Sequence, residues 1–350
     1  MIDDVIQKVK IGSLNVQDVF FDSLRKAYGN EKFDCWLQRK SEEEAYVLKE
    51  EGKLLGFLYL KEECESSLEI NPIFELKRRL KIGTFKIDAH GTVLGQRFLS
   101  IILRKMLNED YNFTYVTLFE EQTRLIGLFE KFGFMKWGHK TNGELVLYKD
   151  LSVNNDIYKD FPRMNLSNQN RRHLLSIKPE HHTKLFPSSR LNTEKNHVIE
   201  DLSFTNTSEK IYLTSMRDVP DMLPGDSVVI YRTAEWGKSA EYSAVATSLC
   251  TVVEMRNTSS FNSLEEFLKY CGKGTIFSRE ELVNYWQKSS YRYILKMLYN
   301  VPLNKRIIRR DLIGRVKIER AGYWGYKLLS DEQFHKILEI GEVNESFVIN

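Results

Sequence analysis

The chain has 350 residues, which is long enough for about two domains with ample cores. Its hydrophobic content of 42% and charged content of 28% are typical of an ordinary soluble globular protein. No apolar run approaches the ~18 residues of a membrane span, and the first residues lack the pattern of a signal peptide. The four scattered cysteines exclude a tight disulfide framework. We therefore expect a cytoplasmic protein with free thiols and no membrane segment.

The first 70 residues predict helices followed by a hairpin. Residues 17–40 have the pattern of two helices around a turn at Tyr28-Gly-Asn30, with aromatic residues on the apolar face. Residues 45–49 and 54–61 are β-rich and flank Glu51-Gly52, which predicts a β-hairpin. An acidic run follows the second of these strands.

The stretch 82–134 alternates strands and helices. Residues 82–87 predict a strand, and residues 88–96 predict a glycine-containing loop that leads into an amphipathic helix. Residues 111–119 are β-branched and aromatic, which predicts a second strand. A second amphipathic helix then ends at Gly133.

A glycine-containing loop before a helix offers a site for an anion. Unpaired backbone N–H groups point at the ligand there, and the helix dipole favours negative charge, so a pyrophosphate is a suitable guest. In the alternative, Gly91 and Gly95 end a strand and begin a helix with no ligand, because lone glycine motifs are weak signals. The loop has neither the P-loop pattern nor the Rossmann fingerprint.

Two segments resemble signatures of the GNAT acetyltransferases. Residues 90–95 (HGTVLG) resemble the family's acyl-CoA pyrophosphate loop, Q/R-x-x-G-x-G/A. Residues 122–134 (QTRLIGLFEKFGF) resemble its second signature, N-x-R-A-x-x-L-Y-E-K-x-G-F, which is the more specific match. The resemblance covers roughly the first 150 residues.

The resemblance implies that acetyl-CoA is the acyl donor and that no metal takes part. The backbone amides of residues 93–96 would bind its pyrophosphate, and an N–H group near Ile87 would stabilise a tetrahedral oxyanion. The residues that the resemblance assigns to acetyl-CoA binding are Ile87, Asp88, His90, Gly91, Thr92, Val93, Leu94, Gly95, Gln96 and Phe129.

Four positions depart from the family pattern. His90 stands where Arg or Gln is usual, Val93 replaces a glycine, and Gln122 replaces an asparagine. Phe129 replaces the tyrosine that protonates the departing CoA thiolate in many members, and a phenyl ring cannot donate a proton. Another group or water then performs this step, or the activity is weak or lost.

The acceptor amine must lose a proton before it attacks a thioester. A carboxylate of the acidic run would accept it directly or through water, although such a run is more often a solvated face. The run consists of Glu62, Glu63, Glu65 and Glu69. We take Glu69 and Gln122 as the candidate catalytic residues.

The second half of the chain is more basic than the first. We expect a first domain over residues 1–150, a polar linker over 151–169, a second domain over 170–340 and a loosely held acidic tail over 341–350. Residues 151–330 carry 27 Lys and Arg against 19 Asp and Glu, a net charge of +8. This excess favours a polyanionic partner.

The second domain resembles a PUA-like domain of the ASCH type. The segments that carry the resemblance are residues 174–179 (LLSIKP), followed by a helix, and residues 223–231 (LPGDSVVIY). The G-x-K-x-x-E-x-R run that marks ASCH domains is absent, so only the fold is implied: a PUA-like β-barrel with added helices. The predicted class of the whole chain is α+β, with a GNAT-like mixed sheet flanked by helices before the PUA-like domain.

A basic stretch followed by aromatics is typical of an RNA-binding groove. Residues 305–320 are dense in Lys and Arg, and aromatic residues follow at 323–326. The alternative is a barrel strand with solvated arginines and core aromatics. The candidate nucleic-acid-binding residues are Arg232, Lys305, Arg306, Arg309, Arg310 and Trp324. The histidines and cysteines lack metal-ligand spacing, so we predict no metal.

We therefore predict an acetyl-CoA-dependent N-acetyltransferase whose acceptor is an RNA-linked amine, such as an aminoacyl-tRNA or a nucleobase. The choice of acceptor depends on the presence of a PUA-like domain in the same chain. This is an argument from association and not from the chemistry of a site. One alternative is a nucleic-acid-binding or regulatory protein with a degenerate GNAT domain. Another is a small-amine or protein acetyltransferase with an accessory domain.

Overall fold

The computed structural model describes residues 6–50, 52–88, 94–167, 169–186, 208–272, 274–289 and 291–350. The chain divides into two compact units, Met1–Leu151 and Ser152–Asn350. The division falls one residue beyond the predicted end of the first domain. Each unit contains a sheet flanked by helices, and the predicted α+β class is confirmed.

Unit 1 contains an eight-stranded mixed sheet in its described part, with strand order β1-β2-β3-β5-β6-β8-β7-β4. Its four helices in the described part are α1 (Asp22–Tyr28), α2 (Asn30–Arg39), α3 (Leu94–Asn108) and α4 (Thr123–Lys131). The strands are β1 (Gln7–Lys10), β2 (Glu44–Glu50), β3 (Lys53–Glu63), β4 (Ile70–Asn71), β5 (Arg79–Ile87), β6 (Phe113–Leu118), β7 (Met135–Lys140) and β8 (Leu145–Asp150).

The central strands β5 and β6 are parallel and pair along only a short stretch. Leu80, Lys81 and Ile82 lie opposite residues 114–116, and no further pair joins the two strands within the described residues. Beyond Ile82, β5 stays paired with β3 on its other side as far as Ile87. The end of β6 likewise stays paired with β8. A wedge therefore opens between the carboxyl ends of β5 and β6.

Helix α3 packs closely on the sheet through a glycine. A side chain at Gly56 of β3 would overlap the ring of Phe98, with its Cβ 2.9 Å from the ring Cζ atom. Phe98 is fully buried and faces Phe85 of β5 at 5.9 Å between ring centroids. The strand residue must therefore be small for the helix to lie this close.

Unit 2 contains a six-stranded sheet in its described part, with order β11-β14-β13-β12-β10-β15, and a separate two-stranded pair. The sheet strands are β10 (Arg172–Ile177), β11 (Glu209–Thr214), β12 (Ser227–Arg232), β13 (Val245–Asn257), β14 (Tyr293–Ile308) and β15 (Tyr326–Leu329). Among the described residues, hydrogen bonds do not close this sheet into a barrel, because β11 and β15 remain its edges.

The described helices of unit 2 lie around its sheet. Side-chain caps begin two of these helices: Ser263 accepts the N–H of Glu266, and Ser278 and Glu281 form a reciprocal capping box. The helices are α5 (Pro179–Leu185), α6 (Ala240–Ser243), α7 (Leu264–Cys271), α8 (Arg279–Lys288), α9 (Arg309–Gly314) and α10 (Asp331–Ile340).

The expected linker and tail are both structured parts of unit 2. Strand β9 (Met164–Asn165) lies in the segment expected to be a linker, and it pairs in parallel with β16 (Val348–Ile349) in the expected tail. Phe347 is 2% exposed, so the tail is anchored by a buried aromatic rather than loosely held. The acidic residues of the tail suggested solvent exposure, although the apolar residues 347–349 follow them.

Candidate functional site

The wedge in unit 1 presents a backbone N–H group to any molecule that enters it. The N–H of Asp88 donates to the carbonyl of Leu55 at 3.0 Å and so points toward β3. Because successive N–H groups alternate sides along a strand, the N–H of Ile87 points away from β3 and into the wedge. This is the group that the sequence analysis expected near a developing oxyanion.

Helix α3 begins close to the end of β5. Its first residue, Leu94, is buried, and the first-turn N–H groups of a helix are available to an anion. Gln96 lies half-buried in this first turn, and Asp88 is exposed at the end of β5. The predicted residues His90, Gly91, Thr92 and Val93 lie outside the described residues.

Gly95 lies where helix α3 meets α4 and the end of β5. A Cβ atom at Gly95 would lie 2.6 Å from the Cδ2 atom of Leu128 on α4 and 3.5 Å from the Cδ1 atom of Ile87. The first distance is a clash and the second is an ordinary contact. Close packing against Leu128 therefore gives a structural reason for a glycine at position 95 that does not require a ligand.

Phe129 lies in an aromatic cluster under the sheet. Its side chain is fully buried, with ring centroids 5.3 Å from Phe85 and 4.7 Å from Phe134. The residue at the position of the family's tyrosine thus offers no exposed surface in this structure.

Gln122 closes the turn that follows β6. Its side-chain Oε1 accepts the N–H of Phe119 at 3.0 Å, and its own N–H donates to the carbonyl of Phe119. Gln122 also stands at the N-cap of α4. The structure thus gives this residue a role in the turn between β6 and α4.

The acidic run is divided between the two ends of the sheet. Glu62 and Glu63 lie opposite Leu80 and Arg79, at the closed end of the wedge. Ile87 is eight residues farther along β5, a separation of about 26 Å at the rise of a strand. The structure therefore places Glu62 and Glu63 far from the open end of the wedge.

Glu69 lies at the edge of the sheet beside β7. Its carboxylate is 3.1 Å from the Nζ atom of Lys140, and its carbonyl accepts the N–H of Thr141. The hydrogen bond and charge of Lys140 hold the pKa of Glu69 below its usual value, which makes this carboxylate a weaker base.

Helix α1 crosses the wedge on the face opposite α3 and α4. Phe85 points to α3, so the next residue, Lys86, points to the other face, where its Nζ atom is 2.6 Å from the Oγ atom of Ser23. At the other end of α1, the ring of Tyr28 lies 5.7 Å from that of Phe119, just after β6. The helix therefore bridges the separated ends of β5 and β6.

Tyr28 contacts a carboxylate that the sequence analysis did not select. Its hydroxyl donates to the Oε1 atom of Glu144 at 2.6 Å, and the Nδ2 atom of Asn142 donates to the other carboxylate oxygen at 2.9 Å. Glu144 is 1% exposed. The two partners are 116 residues apart, and no local sequence pattern joins them.

Unit 2 contains a cavity of about 490 Å³, a volume suited to a small organic ligand. The ends of β10, β11 and β12, the start of α9 and the segment before β15 form its walls. Its described lining includes no Asp or Glu. The aromatic and basic lining residues are Lys178, His181, Tyr212, Tyr231, Tyr291, Arg309, Tyr323 and Trp324.

Arg309 is the central cation of this cavity. Its guanidinium lies 4.2 Å from the centroid of the Trp324 ring, and its buried Nε atom has no hydrogen-bond partner among the described residues. The Trp324 ring lies 5.5 Å from that of Tyr231. Burial lowers the pKa of His181, which favours a neutral imidazole near neutral pH. The cavity therefore combines stacking surfaces with positive charge.

The other predicted nucleic-acid-binding residues lie outside this lining. Arg232 is buried and pairs with Glu235 at 2.8 Å. Burial lowers the pKa of His182, and the positive charges of Arg232 and Arg306 lower it further. Lys305 is exposed on β14, and Arg310 is exposed with its guanidinium 5.9 Å from the Tyr242 ring. The structure brings together only Arg309 and Trp324 of the predicted set.

The part of the chain that the structure describes contains neither a cluster of metal-ligand side chains nor a membrane-spanning helix. No group of three or more His, Cys, Asp or Glu side chains there is arranged to hold a metal ion. No helix in the same residues is both long and apolar enough to cross a membrane.

Comparisons with known proteins give likenesses at the level of fold. No protein-family model matches the sequence, and a search of curated proteins found no match. The chain is similar to a GNAT-family acetyltransferase from Streptococcus pneumoniae, with 11% identity, a TM-score of 0.32, and coverage of 42% of this chain and 99% of that one.

The chain is also similar to a second solved structure. It is the ASCH protein from Zymomonas mobilis, with 11% identity, a TM-score of 0.31, and coverage of 49% of this chain and 95% of that one. A NatC complex bound to Gag peptide and CoA is also similar, with 16% identity, a TM-score of 0.29, and coverage of 42% and 99%.

Proposed function

We propose that unit 1 is an acetyl-CoA-dependent N-acetyltransferase. The observation that carries the proposal is the wedge between β5 and β6, with the N–H of Ile87 directed into it and the first turn of α3 beside its mouth. The family resemblance of residues 122–134, on and around α4, supports the same function. Acetyl-CoA supplies an activated acetyl thioester, and the chain supplies position and polar groups.

The chain's own groups act at two stages of this proposal. The first-turn amides of α3 hold the pyrophosphate by hydrogen bonds and the helix dipole. The N–H of Ile87 donates to the carbonyl oxygen of the thioester, and the hydrogen bond strengthens as negative charge develops there. Because both groups belong to rigid elements, much of the rate enhancement comes from positioning.

Calorimetry with acetyl-CoA tests the donor site. We expect acetyl-CoA to bind at least about tenfold more tightly than acetyl-pantetheine, which lacks the pyrophosphate, a difference of ~1.4 kcal/mol. Equal affinity would exclude α3 as the anion site. Absence of binding by both would favour the degenerate alternative, which the complete burial of Phe129 also supports.

We further propose that the acceptor is an RNA-linked amine. The support is the cavity of unit 2, which pairs aromatic rings with Lys178 and Arg309 and has no carboxylate in its described lining. Stacking and positive charge are the means by which proteins hold single-stranded RNA and its bases. The net charge of +8 over residues 151–330 would attract the same ligand.

Transfer of a labelled acetyl group to tRNA tests the acceptor. We expect label on charged tRNA and none on deacylated tRNA, since the aminoacyl α-amine is then the nucleophile. Equal labelling of both would point to a nucleobase. Labelling of lysine peptides or small amines, with neither tRNA labelled, would favour the alternative of a protein or small-amine acetyltransferase.

A further inference from the structure

Tyr28 and Glu144 differ from the other tyrosine–glutamate pairs described in unit 1. In this pair the tyrosine is exposed and the carboxylate is buried, whereas in the others the tyrosine is buried. Tyr59, Tyr111 and Tyr115 are each at most 3% exposed and reach outward to a carboxylate. Tyr28 is 37% exposed, whereas the side chain of Glu144 is 2% exposed. The Tyr28 hydroxyl therefore links the surface to a buried carboxylate.

The position of the pair relates it to the wedge. Tyr28 is the last residue of α1, and its ring packs on Phe119 immediately after β6. Ser23 of the same helix binds Lys86, next to Ile87 on β5. Tyr28 is five residues beyond Ser23, a rise of about 7.5 Å along the helix. Tyr28 thus lies beside the mouth of the wedge, on the face away from α3.

Glu144 is surrounded by groups that donate hydrogen bonds to it or carry positive charge. The Nζ atom of Lys140 lies 3.9 Å from its Oε2 atom and is itself paired with Glu69. Hydrogen bonds from Tyr28 and Asn142 satisfy both carboxylate oxygens. Burial and the neighbouring carboxylate raise the pKa of the Tyr28 phenol, so the tyrosine remains protonated and can pass a proton on.

We propose that Tyr28 and Glu144 form a proton relay that deprotonates the acceptor amine. This inference rests on the proposed acetyltransferase function of unit 1. Tyr28 contacts the acceptor as a catalytic residue, and Glu144 acts through it as a positioning residue and as the final proton acceptor.

The relay takes one proton from the acceptor and frees the nitrogen lone pair to form the new bond. The acceptor enters as R–NH3⁺ and gives one proton to the Tyr28 oxygen, whose own proton passes to the Glu144 carboxylate. The neutral nitrogen attacks the thioester carbonyl, and a C–N bond forms. The second nitrogen-bound proton leaves to water, the C–S bond breaks, and CoA departs as the thiolate.

Single-turnover transfer to two acceptors tests the relay. Charged tRNA carries an ammonium that must lose a proton near neutral pH, whereas hydroxylamine is already neutral. We expect Tyr28→Phe and Glu144→Gln to slow transfer to charged tRNA by about a hundredfold, the lower range for general-base catalysis. Transfer to hydroxylamine should change by less than about threefold, because that nucleophile needs no base.

The pH profile separates catalysis from structural support. In both variants the rate with charged tRNA should rise with pH more steeply than in the unmutated protein, because solvent must then deprotonate the amine. Glu144→Asp should recover part of the lost rate. The matched control is Tyr111→Phe, which removes a tyrosine–glutamate hydrogen bond of the same 2.6 Å length at the closed end of the wedge.

The outcomes distinguish the relay from the underlying function. Unchanged transfer to charged tRNA in Tyr28→Phe would overturn the relay, as would equal losses with both acceptors. Binding of acetyl-CoA without transfer to either acceptor by the unmutated protein would also overturn it. Failure of the unmutated protein to bind acetyl-CoA would overturn the proposed function itself.

Discussion

The ring of Phe129 packs edge-on against that of Phe85, with the two centroids 5.3 Å apart and Phe129 fully buried. Phe129 stands at the position of the tyrosine in the GNAT signature. Its ring makes an apolar core contact, and it has no hydroxyl to offer to a ligand. In the proposed transfer, the general acid for the departing thiolate is then another group or water.

Phe129→Tyr tests this interpretation. The added hydroxyl would be buried among aromatic rings without a partner, so we expect unfolding of unit 1 to become easier by about 1–3 kcal/mol. Transfer should not accelerate. Chemical denaturation and the single-turnover rate are the two measurements. A variant that is as stable as the unmutated protein and transfers acetyl faster would instead show that the para position of residue 129 faces the wedge.

Glu69→Gln should leave acetyl transfer within about threefold of the unmutated rate, far from the effect of losing a general base. The physical reason is that Lys140 already lowers the pKa of Glu69 and its side chain is exposed at the sheet edge. The single-turnover rate with charged tRNA measures this. A hundredfold loss would restore Glu69 as the base.

Arg309→Gln should weaken binding of a short single-stranded RNA by about tenfold, or ~1.4 kcal/mol. Arg309 lies on the Trp324 ring inside the cavity, where stacking and charge act on the same ligand. Fluorescence anisotropy at low salt gives the dissociation constant.

Arg310→Gln is the matched control for the cavity. Arg310 is adjacent in sequence but exposed and outside the lining, so its loss should weaken binding by less than about threefold. Equal effects of the two variants would indicate a diffuse basic surface instead of a ligand site.

Unit 2 should lose stability as the pH falls below about 6.5. His182 is buried on α5, its Nε2 atom lies 2.9 Å from the Thr247 hydroxyl, and burial lowers its pKa to about 3. The unfolded chain therefore takes up a proton at pH values where folded His182 does not. Stability is full above 6.5 and falls by about 1.4 kcal/mol per pH unit below it, until the folded group titrates near 3.

Hydrogen exchange of peptides from α5 and β13 at pH 7.5 and 5.5 measures this loss, after correction for the intrinsic exchange rates. His182→Gln should reduce the pH dependence, whereas His335→Gln, at an exposed position on α10, should retain it. The same pH dependence in both variants would assign it to other groups.

The predictable parts of this fold were those with a local signal. Apolar periodicity located α3 and α4, and Gly133 ends α4 with a φ of +84°, as expected of a glycine at that position. Strand β7 was not predicted because its sequence, MKWGHK, is largely polar and lies at the exposed side of the sheet.

The site residues depended more on tertiary structure. Residues 305–320 form a single basic stretch in the sequence, but β14 ends at Ile308 and α9 begins at Arg309. That change of element directs Arg309 to the cavity and leaves Lys305 exposed on the strand. The Tyr28–Glu144 hydrogen bond joins a helix end to a hairpin, a relationship that no local pattern encodes.

Where β5 and β6 separate, the sheet of unit 1 has an unpaired strand edge in its interior. An outer edge exposes unpaired N–H and C=O groups to any passing strand, which is a route to aggregation. The inner edge of β5 beyond Ile82 lies beside β6, with helix α3 on one face of the sheet and helix α1 on the other. A molecule that enters the gap and carries amide groups of its own can pair with this edge and so complete the ladder.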